Sequence, residues 1–306
     1  MNDDARPEFA MLTLPDGVRL RHGRWRPPGA PVGTVVLLGG RCEFIEKYQE
    51  TAGMWLSRGW QVFSLDWRNQ GLSDRPLANP QIHHLTDFGV LADDLAVFMA
   101  RTVEPAAIGP RVLMAHSMGA LAATLYLARH ANPFAAAVLS APMYDIPTAP
   151  WPRPAAVFIA RTACTAGWGA CYAPGQGDYD PDEGIFRPDN PITSDARRYA
   201  AFHEPFRQRP ELRVGGVSYA WVRAALAASD AVRWAESLER VRLPALLLSA
   251  PDDTIIDAAS HPVVARRLAA CALLTYAGAR HELLMECDAI RERVWSDVDA
   301  FLENIR

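Results

Sequence analysis

The sequence predicts a mostly parallel α/β sheet with helices on both faces and an inserted helical cap. Three observations predict it. Apolar runs of strand length alternate with longer segments of helical spacing over residues 1–140. The alternation breaks over 141–240, which is rich in Pro and Gly and has no clear buried strand, and it resumes over 241–306. Regular strand–helix alternation builds a parallel sheet covered on both sides. The interruption reads as a cap over the carboxyl ends of the strands, the edge at which open α/β sheets bind ligands. The expected division is therefore a core of 1–140 and 241–306, with 141–240 as the cap.

Each element has its own signal. Residues 9–14 and 18–25 flank Pro15-Asp16-Gly17, which reads as a β-hairpin. A β-branched and Leu run at 34–38 is a buried strand that stops at Gly39-Gly40-Arg41, and 43–58 is the helix after it. A strand at 61–65 leads into a loop, Asp66 to Asp74. Helical apolar spacing then covers 85–101, with Leu85, Phe88, Leu91, Leu95 and Phe98 on one face. Strands are expected at 112–115 and 134–140, with an Ala/Leu-rich helix at 120–129 between them. In the cap, 153–167 and 214–228 look helical and unusually apolar. Strands at 244–249 and 273–276 and helices at 257–270 and 288–304 complete the alternation. No internal repeat or low-complexity tract is evident.

Composition excludes several classes. Half of the 306 residues are hydrophobic and 22% are charged, as in soluble globular proteins. A net charge of -4 without a basic cluster argues against a nucleic-acid partner. No apolar run of membrane-spanning length is present, and the acidic N-terminal segment lacks the apolar core of a signal peptide. Cys42, Cys164, Cys171, Cys271 and Cys287 are odd in number and scattered, which reads as reduced thiols in a cytoplasmic protein. The spacing of Cys164 and Cys171 would allow a disulfide or half of a metal site, but no nearby His completes a ligand set, so neither a metal nor another cofactor is expected.

The chemistry centres on Ala115-His116-Ser117-Met118-Gly119. Between a strand and a helix this is a nucleophile elbow, in which a strained turn exposes the serine hydroxyl and small residues are required two before and two after it. Read alone, it is also what a helix N-cap serine after a buried strand looks like. A serine nucleophile needs a base, and the base an orienting acid, in the order Ser, Asp or Glu, His on such a sheet. Pro251-Asp252-Asp253 follows the 244–249 strand and Arg280-His281-Glu282 follows the 273–276 strand. Ser117, Asp253 and His281 thus each follow a different strand, in the required order, although spacing alone does not separate Asp253 from Asp252. Asp257 reads as a cap of the helix after it, His83 and His84 as surface residues, and Glu282 as a partner of nearby backbone. His116 diverges from Ser117 on the tight turn and is expected to line the pocket. A tetrahedral intermediate needs two N–H donors. They are expected from the backbone of Met118 and, after the 34–38 strand, of Arg41, with the Arg41 guanidinium pointing elsewhere. The alternative of a phosphate cradle at Gly39-Gly40-Arg41 lacks a GxGxxG or Walker pattern.

The segments GGRCEFIEKYQE, RGWQVFSLDWRNQGLSDR, LMAHSMGA, NPITSDARRY, LLLSAPDDTIID and GARHELLMECDAIRERVW are spread along nearly the whole chain from Gly39 onward. In them the chain resembles the α/β-hydrolase group that holds bacterial lysophospholipases and monoacylglycerol lipases. Ala115 and Ala120 stand where that group usually has Gly, Asn69 replaces the Gly of its DWRGxG pattern, and Pro251 replaces a Gly before the acid. The resemblance implies an α/β-hydrolase fold with a cap and a cofactor-free serine esterase. Its nucleophile falls on Ser117, its acid on Asp253, its base on His281, and its oxyanion donors on Arg41 and Met118. It further implies a small-molecule lipid ester substrate, a lysophospholipid or monoacylglycerol, and leaves open a transient contact with a membrane surface. The apolar cap segments at 157–159 and 217–221, through Phe158 and Trp221, are then expected to line an acyl channel over Ser117. The competing readings are a general carboxylesterase, a peptidase of the proline-iminopeptidase type, for which the acids Asp178, Asp180, Asp182, Glu183 and Asp189 would bind an amine, and a non-catalytic binding protein on the same fold.

Overall fold

A computed structural model of the chain describes residues 6–234 and 236–303. Met1 to Ala5, part of the N-terminal segment read above, and Asn304, the expected end of the last helix, lie outside the described residues.

Eight strands form one sheet in the order β1-β2-β4-β3-β5-β6-β7-β8. They are β1 (Glu8–Thr13), β2 (Arg19–Trp25), β3 (Gly33–Leu38), β4 (Trp60–Leu65), β5 (Arg111–His116), β6 (Ala136–Ser140), β7 (Ala245–Ser249) and β8 (Cys271–Thr275). The hairpin β1–β2 joins the sheet antiparallel, and β3 to β8 run parallel. The hairpin closes where Gly17, at φ +88°, takes the left-handed conformation that a β-carbon disfavours. Every residue of β3, β4, β6 and β7 is buried, which is why these strands read as continuous apolar runs. Alternate side chains feed two cores. Val36, Leu38, Leu113 and Leu247 face α2 (Gly89–Phe98) and α3 (Ser117–Arg129), while Val35, Leu37, Val112 and Leu246 face α1 (Gln49–Ser57) and α8 (Asp288–Glu303).

Several helices are shorter than their periodicity suggests. The expected 43–58 helix is a 3₁₀ turn, Ile45–Tyr48, followed by α1, because Phe44 is extended and the Glu43 carboxylate folds back onto the Gly40 N–H. The 85–101 segment holds α2 and a π turn, Met99–Val103, after an Asx turn in which Asp87 accepts the Gly89 N–H. The 257–270 segment holds only α7 (Ser260–Ala265), with Asp257 accepting the Ala259 N–H just before it.

The described residues of 141–240 add no strand to the sheet. They hold α4 (Arg153–Thr165), α5 (Ala196–Gln208) and α6 (Tyr219–Trp234). Helix α5 is absent from the sequence reading. Its Asp195 N-cap accepts the Arg198 N–H, and it buries Tyr199, Phe202, His203 and Phe206 between charged positions. The five cysteines are free thiols.

Candidate active site

The turn from β5 into α3 sets Ser117 at φ +50°, a left-handed conformation strained for a residue with a β-carbon. Crowding around it is extreme. A β-carbon on Gly119 would lie 2.3 Å from the Gly39 carbonyl oxygen, and one on Gly40 would lie 3.0 Å from Ser117 Cβ. The rule of small residues around the elbow is met by Gly119 and by the fully buried Ala115.

Three strand ends bring Ser117, Asp253 and His281 together. His281 Nε2 lies 2.9 Å from Ser117 Oγ, and Nδ1 lies 2.5 Å from Asp253 Oδ2. The ionised carboxylate only accepts, so Nδ1–H donates to Asp253 and Nε2 accepts the Ser117 hydroxyl. The other oxygen of Asp253 accepts the N–H groups of Ile255 at 2.8 Å and Ile256 at 3.2 Å. Burial opposes the charge of Asp253, but His281 and these backbone donors outweigh it and hold the carboxyl below its usual range. Asp252 is exposed on the same turn. The geometry thus favours Asp253 over its neighbour.

Beneath Ser117 lies a buried ionic cluster that sequence reading missed. The Lys47 ammonium donates to Glu43 at 2.6 Å and to Glu282 at 2.5 Å, and His116 Nε2 lies 3.2 Å from Glu282. His116 Nδ1 faces the Ser140 carbonyl at 3.2 Å. Both its ring nitrogens therefore face acceptors, an arrangement that suits the imidazolium. Burial disfavours that charge, yet Glu282 and Glu43 raise the His116 pKa above its ordinary value. Burial likewise opposes the charge of Glu282, and His116 and Lys47 hold it well below the carboxylate range. His116 thus sits under the site and does not line the cavity, and Glu282 pairs with side chains, where a backbone partner was expected. Glu43, His116 and Glu282 bring ligand atoms within 4.8 Å of one another; the Lys47 ammonium is the cation those carboxylates already hold.

A cavity of about 400 Å³ opens over Ser117 and His281. Arg41, Tyr179, Glu183, His203 and Phe206 line it, and the Arg41 guanidinium donates to the Gly215 carbonyl at 2.9 Å. His203, only 3% exposed, was missed with its helix; burial pushes its pKa down to about 4, so it is neutral at pH 7. A second, apolar cavity of about 220 Å³ lies between α4 and α6, lined by Ile146, Trp151, Ile159, Trp221 and Val222, and shares Gln176 with the first.

Three placements correct the sequence reading. Phe158 is 70% exposed on the outward side of α4 and lines neither cavity. Trp221 is 4% exposed and lines the second cavity, its ring edge-on to Phe88 at 5.5 Å. His83, expected at the surface, is 2% exposed because its backbone pairs with the cap at Gly216 and Ser218. Residue type alone did not reveal which side of a cap helix meets the core.

A parallel sheet with a strand–serine–helix elbow, closed by an antiparallel hairpin and interrupted by a cap after β6, is the α/β-hydrolase fold. The chain belongs to the serine aminopeptidase S33 family, whose profile matches residues 29–288. It is 33% identical to lysophospholipase L2 of Escherichia coli strain K12 over 276 residues, covering 84% of this chain and 76% of that protein. The probable lysophospholipase L2 of Haemophilus influenzae is 29% identical over 277 residues, covering 90% and 86%. Among solved structures, a soluble variant of monoglyceride lipase from Saccharomyces cerevisiae in complex with a substrate analog superposes with a TM-score of 0.75 at 19% identity, over 100% of this chain and 99% of that one. The last likeness is one of fold.

Proposed function

We propose that this protein is a serine hydrolase that cleaves carboxylic esters of single-chain lipids through an acyl-enzyme. The observation that carries the reading is the continuous hydrogen-bond path from Asp253 through His281 to Ser117 at the floor of a cavity. Ser117 Oγ attacks the ester carbonyl while its proton passes to His281 Nε2, and Asp253 stabilises the imidazolium. The N–H groups of Met118 and Arg41 receive the developing oxyanion; Met118 is in the first turn of α3, where N–H groups have no intrahelical acceptor. Collapse expels the alcohol, which takes the proton from His281. Water then repeats the cycle on the acyl-enzyme and releases the fatty acid.

The two cavities divide such a substrate. The apolar one between α4 and α6 suits the acyl chain. The cavity over Ser117 carries opposite charges on Arg41 and Glu183, which suits the polar head group of a lysophospholipid. The relatives' names point to lysophospholipids as well. Glu183 also favours a second reading, an aminopeptidase that would hold the substrate amine, in keeping with the family's description. Phe158 and Trp168, exposed along and beside α4, are aromatic rings suited to resting on a lipid surface; no helix among the described residues is long and apolar enough to cross a membrane. The free thiols fit the cytoplasm.

The test is a fluorophosphonate label together with a panel of p-nitrophenyl esters, lysophospholipids, monoacylglycerols and amino-acid amides. Ser117 is expected to take the label and Ser117→Ala to lose at least about 10⁴-fold in turnover while staying folded. Wild-type-like turnover by Ser117→Ala would end the mechanism. Preference for amides would shift the assignment to the peptidase.

A further inference from the structure

The loop that follows β3 is held by side chains that take up its polar backbone groups around Arg41. The Trp67 indole N–H donates to the Gly39 carbonyl at 2.8 Å. The Gly40 N–H donates to Glu43 Oε2. The Gln70 amide does more: its Nε2 donates to the carbonyls of Gly40 at 2.7 Å and Glu43 at 3.1 Å, and its Oε1 accepts the Cys42 N–H at 3.2 Å. The donors and acceptors it meets fix the amide in one orientation. Among the described residues, the Arg41 N–H donates to no acceptor.

Both clamping residues are themselves immobilised. Gln70 is buried and sits between Asn69 at φ +70° and Gly71 at φ +56°. A β-carbon on Gly71 would strike the Asp66 carboxylate at 2.1 Å, so the turn is closely packed there, and Gln70 beside it is 1% exposed. Glu43 accepts from Tyr48 at 2.5 Å and from Lys47 at 2.6 Å as well as from Gly40. Cys42, at φ +61°, turns the chain sharply just after Arg41.

We infer that Gln70 and Glu43 are positioning residues for the oxyanion hole: by capturing the backbone groups on either side of Arg41, they leave its N–H as the donor presented to Ser117. The inference rests on the serine-esterase reading. Neither side chain needs to touch the reacting atoms. Without the clamp, the Arg41 peptide can rotate away from the position the oxyanion occupies, and a preorganised donor becomes a mobile one.

The experiment compares wild type, Gln70→Met and Glu43→Asp on p-nitrophenyl butyrate and on its thiono analogue, in which sulfur replaces the carbonyl oxygen. A rigid hole sized for oxygen favours the oxo ester; a loosened one discriminates less. Both variants are expected to lose about 10²-fold in kcat with KM within about twofold, and the oxo-to-thiono ratio of kcat/KM is expected to fall by a similar factor. Glu43→Asp keeps the charge opposite Lys47 and withdraws the carboxylate by one methylene, so it serves if Gln70→Met does not fold. An unchanged kcat, or a fall in kcat with the oxo-to-thiono ratio intact, overturns the inference. Ser117→Ala separates the two levels: if it is inactive while the clamp variants behave as wild type, only the positioning role fails, and if it remains active the esterase reading itself fails.

Discussion

The carbonyl oxygen of Gly39 would stand 2.3 Å from a β-carbon on Gly119, so the first turn of α3 rests directly on the end of β3 with room for hydrogen alone. Gly119→Ala must push the helix or the Arg41 loop aside. Overpacking of this kind costs about 1–3 kcal/mol, and the displaced loop carries a candidate oxyanion donor. The expected result is a lowered melting temperature together with at least about a tenfold loss of kcat. Gly53→Ala, in α1 with nothing within 4 Å of the added carbon, is the control. It is expected to stabilise by about 0.5–1 kcal/mol. Equal effects of the two substitutions on kcat would contradict the argument.

Asp253 and Asp252 share one turn but not one environment. Asp253 Oδ2 meets His281 and Oδ1 meets two backbone N–H groups, while Asp252 faces solvent. Asp253→Asn presents an amide to Nδ1, favours the wrong imidazole tautomer, and is expected to cut kcat by about 10⁴-fold. Asp252→Asn is expected to stay within about twofold of wild type, as exposed substitutions do. Steady-state kinetics on one soluble ester decides, and a reversal of the two results would assign the acid to Asp252.

The core was legible because each of its signals is local. Buried parallel strands announce themselves as apolar runs, and the elbow needs only Ala115, Ser117 and Gly119 in sequence. The ionic cluster was not legible, because Glu43, Lys47, His116 and Glu282 come from three distant stretches and nothing local marks a lysine as buried. Gln70 was hidden for the same reason, its partners lying about the end of a different strand. In the cap, α5 escaped notice because charges punctuate Tyr199, Phe202 and Phe206, and Phe158 was misplaced because an apolar residue on a cap helix is not thereby an inward one. Trp221, expected over Ser117, walls the second cavity instead, because a sequence does not show which of two neighbouring cavities a helix side faces.

Lys47 is the cation between two buried carboxylates, so removing it takes away a direct ion pair from each of them. Lys47→Met is expected to destabilise by about 3–5 kcal/mol at pH 8, the cost of an uncompensated buried charge. The sign of the pH dependence follows. In the wild type Glu282 is held well below the carboxylate range by His116 and Lys47 against burial, and that contribution is present above the unfolded carboxylate pKa and lost as pH falls through the folded one. In Lys47→Met the Glu282 carboxyl loses one of the cations that hold it down, shifts upward and takes a proton more readily as pH falls. The gap between variant and wild type should therefore narrow from pH 8 to pH 5. Urea denaturation across that range measures it, and a constant gap would mean that the cluster does not hold these charges.

The acyl-chain assignment turns on Trp221 and Phe158, which the sequence treated alike and the structure separates. Trp221 walls the apolar cavity between α4 and α6, whereas Phe158 is 70% exposed on the outer side of α4. Each methylene buried in that cavity is worth about 0.8 kcal/mol, so kcat/KM should climb by a factor of at most about three to four per methylene until the cavity is full. Trp221→Ala enlarges the cavity and should move the preferred length toward longer chains, with acetate esters cleaved nearly as before. Phe158→Ala should leave the profile on dissolved esters unchanged. Its effect should be on binding to lipid vesicles, because it removes an exposed aromatic ring from the outer side of α4. Two series of measurements suffice: kcat/KM from acetate to laurate below micelle formation, and co-sedimentation with vesicles. A flat length profile that Trp221→Ala does not alter would remove the acyl chain from this cavity and leave a general esterase. A length profile that Phe158→Ala shifts would mean that the outer side of α4 turns inward when substrate binds.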